Sequence, residues 1–154
     1  MNKLHLLLDE YSQSHQNGTN KLIHWICVPL IFFSVTGYLY SIKLPFEVYH
    51  GHDLNVAIIS LVFVILYYIS LSRTIWIGMI LFSLLCLLVC HEIEAIGLPL
   101  VITCAVIFVL AWIGQFYGHH IEGKRPSFLK DLQFLLIGPA WLMSFIYKKL
   151  GIAY

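Results

Sequence analysis

Four apolar runs, at approximately residues 22–42, 54–72, 74–92 and 98–118, dominate this chain. A helix needs about 20 apolar residues to cross the roughly 30 Å hydrocarbon core of a bilayer. Inside that core the backbone must satisfy its own hydrogen bonds, which strongly favours helices for runs of this length. Each run therefore predicts a spanning helix, and the expected fold is an all-α integral membrane protein with four transmembrane helices. Composition agrees: 60% of the residues are hydrophobic and 11% charged, with a mean hydropathy of +0.84, whereas a soluble domain carries about 25% charge. A net charge of +1 with no long basic run offers nothing to nucleic acid.

The connections refine this picture. Ser72-Arg73-Thr74 is short enough to make the second and third runs an antiparallel hairpin. Leu4, Leu7, Leu8 and Tyr11 form an amphipathic pattern that predicts an N-terminal helix rather than a cleaved signal peptide. A fifth apolar run, about 132–147, is short and contains Gly138-Pro139, which predicts a break and an interfacial or re-entrant helix. No repeat or linker divides the chain, so residues 1–154 read as one membrane domain. Cys27, Cys86, Cys90 and Cys104 lie in apolar runs without a C-x-x-C pair and read as small buried residues. Trp25, Trp112, Trp141 and Tyr117 fit an interfacial aromatic belt.

Orientation follows from the basic residues. Lys3, Lys21, Arg73, Lys124, Arg125 and Lys130 share one face and only Lys43 lies on the other, so the first face is expected to be cytoplasmic, in a bacterial inner membrane or in the endoplasmic reticulum of a eukaryote. This sorts the histidines. His50, His52 and His91 fall on the far face, leaving His5, His15, His24, His119 and His120 as candidates for one metal site at the cytoplasmic mouth. His15 and His24 are nine residues apart and would point in opposite directions on a continuous helix. Asn17-Gly18 removes the conflict: Gly18 reads as a helix C-cap and Thr19 or Asn20 as the next N-cap, placing His15 in a last turn and His24 in a first turn.

At the other end of the chain, Gln115, His119 and Glu122 share a helical face, with His120 about 100° away. Neutral imidazoles with one carboxylate and open positions suit a redox-active iron that binds substrate and O2. Gln115 and Asn20 are candidate partners that orient the ligands. Glu122 is either a ligand or a helix-end charge beside Lys124 and Arg125, and His120 a bystander, a substrate-side group or an extra ligand.

The blocks Tyr11-Ser12-Gln13-Ser14-His15, Asn20, His24 with Pro29, and Trp112-Ile113-Gly114-Gln115-Phe116-Tyr117-Gly118-His119 followed by Glu122, Arg125 and Pro126 resemble the family of small membrane proteins typified by the yeast 2-hydroxy fatty acid dioxygenase. Their order and spacing cover nearly the whole chain. The resemblance implies an Fe(II)-dependent dioxygenase that shortens a long-chain 2-hydroxy fatty acid by one carbon, in eukaryotes during phytosphingosine degradation. His15, His24 and His119 match the family's histidine positions. Glu122 follows His119 by three residues, where eukaryotic members usually space the pair by four. On this basis Lys21, Lys124 and Arg125 are expected to meet the carboxylate of the lipid acid.

Two other classes remain open on the sequence. A protein holding haem between paired histidines would show a strong Soret band. A small scaffold or transporter would hold these histidines as satisfied interfacial residues; a transporter site would usually add a pair of broken mid-membrane helices or a charge deep in a span, and the chain has neither signal.

Overall fold

The computed structural model describes residues 3–49, 52–123 and 135–154. Helix α1 (Lys3–Gln13) buries Leu4, Leu8 and Tyr11, the expected amphipathic face. Helix α2 (Gly18–Tyr40) starts under the Asn17 side chain, which accepts from the backbone N–H groups of Thr19 and Asn20. Strands β1 (Lys43–Tyr49) and β2 (His52–Asn55) form an antiparallel ribbon. Helices α3 (Val56–Leu71), α4 (Ile75–Ala95) and α5 (Leu100–Glu122) follow, and α6 (Ile137–Leu150) closes the chain.

The expected all-α architecture holds, with one addition: the short strands β1 and β2 connect α2 to α3. That connection is too long for a tight turn, and by pairing with itself it satisfies its backbone. Lys43 fastens the ribbon to α4 through Glu94 at 2.9 Å and lies 3.7 Å above the Tyr40 ring.

Among the described residues three helices, α2, α4 and α5, are long and apolar enough to cross a membrane. The second expected span is shorter than predicted. Asn55 caps α3 by accepting from the Ile58 N–H at 3.1 Å, and the chain turns at Ser72, leaving 16 helical residues. Ser72 Oγ then accepts from the N–H groups of Thr74 and Ile75, so a single hydroxyl helps start α4. In the last apolar run Gly138-Pro139 does not break a helix. It opens α6, with Pro139 in the first turn, where the missing N–H has no intrahelical partner to lose.

Helices α2 and α5 make the most extensive contact in the fold. Their approach depends on small residues. A Cβ on Gly114 would sit 2.6 Å from Cys27 Sγ, one on Gly118 would collide with Asn20 Oδ1, and one on Gly37 with Cys104 Sγ. Gly114 and Gly118 stand four apart, the spacing that lets membrane helices pack closely. A second core joins α1, α3, α4 and α6 around Tyr68, Met79 and Trp141. The four cysteines are buried and free. Phe63, Leu81, Leu110 and Ile113 project outward, as expected of surfaces that meet lipid.

Candidate metal centre

His15 lies two residues beyond α1, His24 in the second turn of α2, and His119 in the last turn of α5. This corrects the expected local geometry: Asn17 is the cap, and Gly18 is the first residue of α2. The convergence of the two imidazoles is still achieved, because the chain changes direction between Gln13 and Gly18. The three side chains are almost completely buried, with exposures of 2% for His15, 1% for His24 and 4% for His119.

One nitrogen from each ring lies within 4.8 Å of the other two. The ring centroids are 4.2 Å apart for His15 and His24, 5.3 Å for His15 and His119, and 5.1 Å for His24 and His119. Two of the tautomers follow from the backbone. His15 Nδ1 donates to the Tyr11 carbonyl at 2.7 Å and His24 Nδ1 to the Asn20 carbonyl at 2.9 Å. A neutral ring that donates through Nδ1 presents Nε2 as a lone pair, the form a metal requires. Small ring movements would bring all three nitrogens to the roughly 2.1 Å bonds of an imidazole-ligated divalent ion. The donor set therefore fits a metal held by three imidazoles.

Glu122 is placed apart from this triad. Its Oε1 accepts from the Gln16 N–H at 2.8 Å, and its Oε2 from the Asn17 N–H and the Asn20 side-chain amide, both at 2.9 Å. The carboxylate thus ties the end of α5 to the turn between α1 and α2. Asn20 is fully buried, and through its own carbonyl it also orients His24. His120 is exposed on the other side of α5, and His5 packs at a tilt against Tyr154 with ring centroids 5.4 Å apart, so neither joins the triad. Gln115 is buried one turn before His119. Lys21 is half-buried beside Asn20. Lys124 and Arg125 lie outside the described residues.

Two contacts at the site were not anticipated from the sequence. The Tyr11 ring stacks on His15 with centroids 4.2 Å apart and planes 14° from parallel. Trp141, expected in an interfacial belt, is instead 1% exposed; it packs against Tyr11 and His15 and donates through Nε1 to Ser12 Oγ at 2.8 Å. Its position after Gly138-Pro139, inside an apolar helix, was the available signal.

Residues 1–150 match the family described as 2-hydroxy-palmitic acid dioxygenase Mpo1-like. The chain is also 32% identical over 149 residues to the 2-hydroxy-palmitic acid dioxygenase MPO1 of Saccharomyces cerevisiae, covering 92% of this chain and 78% of the yeast protein. No solved structure matches it. With a match that takes in α1 to α6 and every residue of the histidine triad, the chain belongs to the Mpo1-like family.

Proposed function

We propose that this protein is an Fe(II)-dependent dioxygenase that converts a long-chain 2-hydroxy fatty acid into the acid one carbon shorter. The observation that carries the proposal is the buried triad of His15, His24 and His119, two of whose rings are fixed through Nδ1 by backbone carbonyls. Family membership and the name of the yeast relative support the substrate class. Iron at the three imidazoles would supply the redox chemistry with O2 while leaving coordination positions for substrate.

The protein's own part is placement and exclusion of water. Tyr11 and Trp141 close the site around His15, and Asn20 and Glu122 hold the turn from which His15 and His24 project. Lys21, together with Lys124 and Arg125 that follow α5 in sequence, offers positive charge to the carboxylate of the acid. Oxidation to the shorter acid, carbon dioxide and water takes from C1 and C2 as many electrons as one O2 accepts. The reaction therefore needs no separate reductant. A haem between paired histidines fits poorly, because the three rings crowd one another and leave no slot for a planar macrocycle.

In the membrane, α3 returns beside α4 as the fourth crossing, supported by their short connection and by apolar side chains exposed along α3. Helix α6 lies at the interface, supported by its 14-residue length and by Tyr147, whose hydroxyl donates to the Thr74 carbonyl at the α3–α4 turn. The histidine end faces the cytoplasm, as the basic residues indicate. The test is to purify the protein, strip it with a chelator and measure consumption of O2 and 2-hydroxypalmitate. Fe(II) should restore turnover where Zn(II) does not; turnover that survives complete removal of iron would overturn the proposal.

A further inference from the structure

Two interior cavities follow α2 away from the histidine triad. The first, of about 30 Å³, is lined by Val28, Ile31, Trp112, Leu135 and Gly138. Tyr11, which stacks on His15, and Gln115, one turn from His119, also line it. The second, of about 60 Å³, is lined by Phe32, Val35, Thr36 and Leu39 of α2 and by Ala57 and Leu61 of α3. Leu135 borders both. The second cavity is largely apolar; of the two hydroxyls that line it, that of Thr36 is spent on the Phe32 carbonyl of its own helix at 2.9 Å, and the other belongs to Ser60 of α3.

We propose that the two cavities are segments of one channel that takes the acyl tail of the 2-hydroxy acid, with the far end at Leu39 and Ala57 measuring its length. The proposal rests on the reading that the histidine triad oxidises such an acid. Three observations lead to it. The imidazoles are 1–4% exposed, so a substrate whose head reaches them must lay its tail between helices. The cavities continue from that point along α2 toward its opposite end. From Val28 to Leu39 the helix rises about 16 Å, close to the roughly 15 Å that one leaflet of acyl chains occupies in a bilayer.

Gly138 keeps the entrance open, since a Cβ there would lie 3.1 Å from Val28 Cγ1 and 3.2 Å from the Tyr11 hydroxyl. The cavities are smaller than a palmitoyl tail, so filling them requires Leu135, half-buried in the turn two residues before α6, to swing aside and join them. The apolar part of the lining then contributes affinity in proportion to the methylenes buried. A tail longer than the channel meets Leu39 and Ala57.

The experiment uses the full-length protein in nanodiscs and a 2-hydroxypalmitic acid carrying a terminal diazirine. Photolysis of the iron-free protein should label Leu39 or Ala57, read by peptide mass spectrometry. Ala57→Leu, at a position with 0% exposure, should abolish that label and lower turnover of 2-hydroxypalmitate relative to 2-hydroxylaurate by about 10-fold or more. Val62→Phe, on the lipid-facing side of α3, should change neither. Absence of label at both Leu39 and Ala57 in the wild-type protein would overturn the channel, as would an unchanged chain-length profile in folded Ala57→Leu. The wild-type label decides the matter alone if that variant does not fold. Channel labelling in a protein that oxidises no 2-hydroxy acid would keep the tail site and refute the reaction.

Discussion

The side-chain amide of Asn20 donates to Glu122 at 2.9 Å, joining the first turn of α2 to the last turn of α5. The same residue accepts from His24 Nδ1 through its carbonyl. One buried asparagine thus connects the orientation of a candidate ligand to the contact that closes the site.

Replacing His15, His24 or His119 singly by alanine is expected to remove bound iron and turnover, because each supplies one of three converging nitrogens. His120→Ala should retain iron, since that ring is exposed and outside the triad. Iron content by elemental analysis of the four purified variants checks this. Full iron in His24→Ala would defeat the assignment.

Glu122→Gln tests a clamp against a ligand. The new amide NH2 must face one of three donors now satisfied by the carboxylate, a loss of about 1–3 kcal/mol. The expected result is a lower melting temperature with iron still bound at saturating Fe(II). Iron lost at an unchanged melting temperature would make the carboxylate a ligand instead.

Gly118→Ala should weaken iron binding without touching a ligand. Its new methyl group would collide with Asn20 Oδ1 and push α2 from α5, an overpacking cost of about 1–3 kcal/mol. Titration of Fe(II) into the stripped variant should give a weaker apparent affinity than wild type. Equal affinity would mean that the helices can part without disturbing the imidazoles.

Reporters fused before residue 20 and after residue 130 should both read cytoplasmic. Opposite readings would require an odd number of crossings between them, at variance with a site built from His24 and His119.

Three of the four apolar runs were legible as spans because membrane crossing imposes length and hydropathy on each. The candidate histidines were legible for a related reason, since imidazoles are rare where lipid is the alternative partner. Local details depended on competition between neighbours. Asn17 and Gly18 each have a credible capping role, and the preference for Asn17 comes from two N–H groups its side chain can reach. The strand ribbon was hidden in a connection with no clear alternation, and α3 ended early because Asn55 and Ser72 can satisfy helix ends. The use of Glu122 as a clamp depends on backbone N–H groups more than a hundred residues away in sequence. No local pattern records such a contact.

The triad also sets an order of maturation. His15 and His24 emerge from the ribosome roughly ninety-five residues before His119, an interval of about 5–19 s at ordinary rates of synthesis. During that interval the nascent protein holds only two of the triad's three imidazoles and lacks the closing carboxylate of Glu122. On the proposed metal reading, capture would wait for the last long helix to insert, and a chain truncated within α5 would reach the membrane unable to load, so that metallation would report that insertion has finished.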